Sequence, residues 1–510
     1  MNMARFVVLV TAVCIALLGG PAYAHGFGER YDLPVPLELY VLGSGAAVAC
    51  SFVVVGLFVK SSPNVHDYPR LNILDWRLGR VLTHPVVSVT LRIITVGLLI
   101  LVVIAGIVGN DIPTLNFAPI MVWVIWWVGT AYISALIGNI WGLINPWSTT
   151  FSWAESLYRR VAPGGKLTLG LDYPANWGVW PGLILFLGFA WVETVYGQSS
   201  VPGRVALMAL AYSSITWGGM FIYGRESWLR HGEAFSLAFG FLARFAPTEI
   251  RVTNAVVCKE CLVDCLDLDG NCIDCSECYS ASAPEHREFN IRPYGVGLVR
   301  KEKVSTSVMV FVVVLLSTVS FDGFTATPLW ADIFYFLIDL IPSISAVGTI
   351  GLAVFPLIFI AVYLLFAAIM AASSGNGVPY TAVARAFVFT LIPIALAYHL
   401  AHFFSFLLVQ GQLIIPLMSD PLGRGWDLFG SAGYKVDISL VNARTAWLVS
   451  VAAIVIGHIF AVYLAHIIAL RAIPKRHLAI RSQYPMMVLM VGYTMISLWI
   501  LAQPIMEAGG

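Results

Sequence analysis

The chain has 510 residues, of which 59% are hydrophobic and 11% charged, with a formal net charge of +1. Soluble domains carry roughly a quarter charged residues, so this composition excludes an ordinary soluble enzyme and describes a polytopic membrane protein. The balanced charge gives no handle for nucleic acid; in such a chain the placement of charge carries more information than its sum.

Residues 1–24 read as a cleaved signal peptide: Arg5 supplies a basic start, an apolar stretch follows, and Ala22-Tyr23-Ala24 is a small-residue cleavage signal. Cleavage would leave His25 first. Its α-amine and imidazole could then chelate one transition metal, copper in particular, with Gly26 and Gly28 beside it.

Apolar segments of spanning length recur at 37–59, 86–108, 117–143, 178–197, 205–224, 304–321, 346–370, 386–409, 446–470 and 485–503. They predict an all-α bundle of about ten spans: a first membrane bundle over 25–224, an extramembrane module over 225–303 and a second bundle over 304–510. Starting from an external N-terminus, the loops 60–85, 144–177, 225–303, 371–385 and 471–484 face the cytoplasm. They hold Lys60, Arg70, Arg159, Arg160, Arg385, Arg471, Lys475, Arg476 and a basic series from Arg225 to Lys303, against Arg30, Arg204, Arg424, Lys435 and Arg444 outside. The excess of positive charge agrees with that orientation.

The module opens with ESWLRHGEAFSLAFGFLARF, whose periodicity suggests an amphipathic helix along the membrane surface. It continues into CKECLVDCLDLDGNCIDCSEC, with cysteines at 258, 261, 265, 272, 275 and 278. In a reducing compartment, Cys-x2-Cys pairs favour metal or redox chemistry over structural disulfides, because two thiolates can reach one ion from a tight turn. Either an Fe–S cluster or structural zinc fits Cys258, Cys261, Cys265, Cys272, Cys275 and Cys278; disulfides remain if the topology is inverted. The triplet ending at Cys278 lacks the fourth ferredoxin cysteine, since Ser282 stands there, and the spacing departs from two-zinc, six-cysteine modules. Asp267-x-Asp269-Gly270 resembles part of a calcium loop, but Cys265 and Ser276 replace its flanking acids.

Ionisable residues inside spans mark candidate sites. His399 and His402 share one helical face with Ser405, and His458 on the next span lies at matching depth. A His399, His402 and His458 cluster would accept zinc, copper or iron, whereas His466 sits nearer the cytoplasmic end. Glu193 and Asp322 are the candidate bases or histidine-orienting carboxylates. Tyr398, Ser405, Gln410 and Gln412 are the candidate substrate contacts, with Trp330 a further pocket residue. Asn139, Asn145, Pro146, Glu193, Asn376 and Pro393 would instead mark a transport path if the bundle is a transporter.

The stretches HGFGERYDLPVPLELY, GNIWGLINPW, RPYGVGL, STVSFDGF and AYHLAHFFSFLLVQGQ together resemble bacterial integral membrane proteins labelled fenitrothion hydrolase. The resemblance implies an inner-membrane enzyme hydrolysing an aryl phosphorothioate triester, a small apolar substrate, and it assigns no catalytic residues. A metal-bound hydroxide could perform such an attack. Hydrolysis needs no electron source, so the cysteines keep a second class open: a redox or metal-handling protein, with a redox partner or a second membrane subunit. No Walker loop, Gly-x-Ser-x-Gly elbow or dinucleotide fingerprint occurs.

Overall fold

A computed structural model describes residues 36–61, 68–259, 261, 265–375 and 377–503. The signal peptide, His25 and Asn376 lie outside these residues. The expected all-α polytopic bundle is what the chain forms. Among the described residues nine helices are long and apolar enough to cross a membrane: Leu37–Phe58, Pro85–Val108, Phe117–Leu136, Pro202–Tyr223, Thr306–Thr325, Ile344–Ser374, the interrupted Tyr380–Ser419, Ala443–Ala472 and Arg476–Ala502. The segment 178–197 differs from expectation, forming a 15-residue helix, Trp180–Thr194. Its start is fixed by the turn at Gly178, whose φ of +48° suits glycine and where a Cβ would meet Ser307 Oγ at 2.4 Å. Ser307 Oγ also accepts the Val179 N–H at 3.0 Å.

The chain divides into two compact units that do not follow sequence halves. One comprises 1–63, 309–409 and 437–510; the other comprises 64–308 and 410–436. Each unit is therefore assembled from stretches far apart in the sequence. Leu37–Phe58 packs with Ala443–Ala472 and Arg476–Ala502, and the reason is local bonding. His466 Nε2 reaches Val59 O at 2.9 Å, Arg476 donates to Gly56 O at 2.9 Å, and Val41 shares a buried cluster with Tyr398, Ala401, Ile454, Leu498 and Ile500.

In the other unit Pro85–Val108 packs against Pro202–Tyr223, and Gly106 allows the close approach. A Cβ there would come within 2.6 Å of both Ala206 Cβ and Pro202 O. Phe117–Leu136 contains a π-helical stretch, Ile120–Gly129, and an aromatic cluster gathers around it: Trp126 lies 4.4 Å from Phe235 and Trp127 4.7 Å from Phe189, centroid to centroid. Asn145 and Asn139 are helix caps, accepting from Trp147 N at 3.0 Å and Gly142 N at 3.0 Å, and Pro146 occupies a first helical turn. Their polarity and helix-breaking character thus serve helix ends.

The segment after the fifth apolar stretch corrects a second expectation. It is not one surface-lying amphipathic helix but two helices, Arg225–His231 and Ala234–Ala243. The second buries Phe235, Leu237, Phe239, Phe241 and Leu242. Beyond it a small antiparallel sheet forms from β1 (Leu71–Asn72), β2 (Thr248–Val252), β3 (Cys272–Ile273) and β4 (Arg287–Ile291), in the order β1-β4-β2-β3. The module therefore recruits a strand from far upstream: Leu71 pairs with Ile291 and Asn72 with Asn290.

Candidate metal centre

The sheet sets the position of the cysteines. Val252 pairs with Cys272 and Arg251 with Ile273, which fixes β3 against β2. The chain reaches β3 through a turn in which Asp267 Oδ1 accepts from Asp269 N at 3.0 Å and Asn271 N at 2.8 Å. Asp267 thus closes its own loop, as Asp does in an Asx turn. After β3, Asp274 takes a left-handed conformation, φ +58°, which aspartate tolerates better than most residues. It is held by reciprocal bonds to Ile250, its N–H donating to Ile250 O at 2.7 Å and its Oδ1 accepting Ile250 N–H at 3.1 Å. This turn aims Cys275 inward and starts the short helix Ser276–Ala281, which carries Cys278.

Cys258, Cys272, Cys275 and Cys278 are buried, while Cys261 and Cys265 are half-buried. Cys258 and Cys272 form a disulfide. Among the described residues two sets place four sulfurs all within 4.8 Å of one another: Cys258, Cys265, Cys272 and Cys278, and Cys261, Cys265, Cys275 and Cys278. Four thiolates at about 2.3 Å from one zinc span edges of about 3.8 Å, so each set has the compactness of a single-ion site.

The electrostatics were only partly visible in the acidic sequence around the cysteines. Arg230, from the helix before the module, donates to Cys275 Sγ at 3.3 Å and lies 3.7 Å from Glu277. Burial would raise the Cys275 thiol, but bonds from Cys278 and Arg230 pull it below its ordinary value. Burial and bonds to neighbouring sulfurs push Cys278 upward, and burial pushes Cys265 to about 11. Asp274 faces Arg300 in a direct ion pair and Arg292 at 3.8 Å; burial would raise its carboxyl, but these cations hold it below the usual carboxylate range. A carboxylate so paired adds little negative potential to the sulfurs.

Glu226 presents the opposite case. Burial and a bond to Glu277 outweigh Arg225, 2.8 Å away, and raise its pKa to about 7. The folded state therefore holds that proton more tightly than the unfolded chain. Its contribution is complete below the unfolded value near 4.5, declines through the interval and is lost above about 7. Glu226→Gln should thus lessen the fall in melting temperature between pH 5 and pH 8, measured in detergent; an unchanged fall would contradict this.

His402 Nε2 lies 2.8 Å from Asp322 Oδ2, an imidazole–carboxylate pair. His458 Nδ1 donates to Ile454 O of its own helix at 2.8 Å, and the buried His399 packs on Phe403. Among the described residues no set that includes these histidines brings three ligand atoms within 4.8 Å. His402 packs on Phe403 as well, so one phenyl ring meets both imidazoles. His466 sits between Gln483 Oε1 and Val59 O, both at 2.9 Å.

Tyr398 is fully buried in a packing cluster and Ser405 is half-buried. Gln410 and Gln412 belong to the other unit, where Gln412 accepts from Tyr434 OH at 2.8 Å. Glu193 also belongs there and accepts the Trp127 indole N–H at 2.7 Å. Trp330 packs on Phe321. An apolar recess of about 570 Å³ lies in the unit of Tyr398, lined by Phe355, Phe359, Met486, Tyr493 and Trp499 among others; neither Tyr398 nor Ser405 lines it.

Sequence reasoning missed Glu233. It is fully buried, caps Ala234–Ala243 by accepting from Phe235 N at 3.0 Å and Ser236 N at 2.7 Å, and also accepts from Tyr212 OH, Asn145 Nδ2 and Trp141 Nε1. The Gly232-Glu233 break inside an apolar run was the available signal. Compared with known protein families, curated proteins and solved structures, the chain matches none.

Proposed function

We propose that this chain is a metal-handling membrane protein whose centre is the cysteine module at 258–278. The gathering of six cysteines into sets of four with all sulfurs within 4.8 Å carries this reading. The compactness favours zinc-type single ions over a cubane cluster, whose thiolates bind separate irons at its corners and stand further apart. The positive loops support a bacterial inner-membrane placement with the module in the cytoplasm, where thiols stay reduced. Elemental analysis of protein purified in detergent under reductant tests it. Zinc bound to the chain and lost on replacing Cys275 and Cys278 by serine is the expected result; protein without metal sinks the reading.

A second reading is hydrolysis of an organophosphorus triester in the membrane bundle, as the resemblance implies. The Asp322–His402 pair at 2.8 Å favours it, since a carboxylate orients an imidazole to take a proton from water. On that reading His402→Ala and Asp322→Asn each lower turnover of a nitrophenyl phosphorothioate by about 10²-fold or more. Undiminished turnover in both variants removes these residues from any mechanism.

A further inference from the structure

The cysteine module has an internal arrangement that bears on how many ions it could hold. The two four-sulfur sets share Cys265 and Cys278, whose Sγ atoms are 3.3 Å apart. The other four cysteines divide without remainder, Cys258 and Cys272 in one set and Cys261 and Cys275 in the other. Two tetrahedra with a common edge describe a dinuclear thiolate centre. We propose that the module binds two divalent, zinc-type ions bridged by Cys265 and Cys278, with Cys258 and Cys272 terminal on one ion and Cys261 and Cys275 terminal on the other. This rests on the metal reading above and deepens it.

Charge favours two ions over one. Six thiolates around one divalent ion leave four net negative charges in a largely buried pocket, whereas two ions leave two, and Arg230 against Cys275 offsets part of the rest. Geometry agrees: with bonds of about 2.3 Å across the shared edge, the ions stand about 3.2 Å apart, a separation that bridging sulfurs support. A single ion in the Cys261 set would leave Cys258 and Cys272, 3% and 2% exposed, with no role beyond their mutual disulfide.

The Cys258–Cys272 disulfide then acquires a meaning. It removes both terminal ligands from one ion and none from the other. The module accordingly has a reduced two-ion form and an oxidised one-ion form. With a peroxide as oxidant, the two thiolates give up two electrons and form the S–S bond; the peroxide takes those electrons and two protons and leaves as two waters, and one ion passes to solvent.

Zinc and protein are quantified on the full chain in detergent, loaded with zinc under a phosphine reductant and then exposed to hydrogen peroxide. Two ions per chain falling to one on oxidation is the expected result. Cys258→Ser and Cys261→Ser each hold one ion from the start, and peroxide leaves the single ion of Cys258→Ser in place. One ion in the reduced protein overturns the dinuclear arrangement while the metal reading stands; none overturns both. Iron with inorganic sulfide also overturns the dinuclear centre. Because the wild-type stoichiometry and its peroxide response need no substitution, a misfolded variant does not rescue or defeat the proposal.

Discussion

Glu233→Ala should cost the protein about 3–5 kcal/mol, because it removes a helix cap and strands several buried donors at once. The side chain is fully buried and accepts bonds from both amides of the first turn after it, from Ser236 Oγ, from Tyr212 and Trp141 on two other helices, and from Asn145 at the cap of a third. Its two oxygens are met by neutral N–H and O–H donors from several elements. Glu233→Gln keeps one acceptor oxygen and the shape, so its loss should be smaller. Melting temperatures in detergent check both, and equal stability of Glu233→Ala and the parent would refute the hub role.

Arg292→Met should destabilise the cysteine module by a similar amount, about 3–5 kcal/mol, by leaving Glu249 charged and unpaired in the interior. The pair is 1% and 0% exposed, with Arg292 Nη1 2.8 Å from Glu249 Oε2. Tyr68 OH donates to the same carboxylate at 2.6 Å, and burial and that bond push its own pKa up to about 12. Since Glu249 lies on β2, whose Val252 positions Cys272, the expected readouts are protease sensitivity of 248–303 and loss of bound zinc. The double variant Arg292→Met, Glu249→Leu should recover much of the stability, as replacing a whole buried pair by apolar side chains does. A double variant no better than the single one would show that packing, not the stranded charge, is responsible.

How much of this was readable beforehand depends on the physical range of each signal. Apolar runs announced the spanning helices because lipid imposes a length on each segment separately. Trp180–Thr194 fell short because the turn at Gly178 and the polar stretch after Thr194 bound it. The cysteine spacing announced a cluster that could hold a metal ion, but the partition into two sets depends on the register of β3 against β2, a contact set by residues outside the run. Glu233 looked like part of a polar helix face. Only the packing of Tyr212, Trp141 and Asn145 around it reveals a buried acceptor. Helical periodicity put His399 and His402 on one face, and both rings do pack on Phe403 there; the Asp322 partner of His402 comes from another helix, which periodicity does not see.

The pairing of Leu71 with Ile291 also counts crossings. A β-ladder cannot be strung through hydrocarbon, so these two points emerge on the same face of the bilayer, and the chain between them traverses it an even number of times. Three helices in that stretch have spanning length, Pro85–Val108, Phe117–Leu136 and Pro202–Tyr223, which alone would be odd. Among the described residues, a fourth passage by the apolar helix Trp180–Thr194 would make the number even. At about 22 Å it is shorter than a hydrocarbon layer of about 30 Å, so such a passage would need thinned lipid beside it.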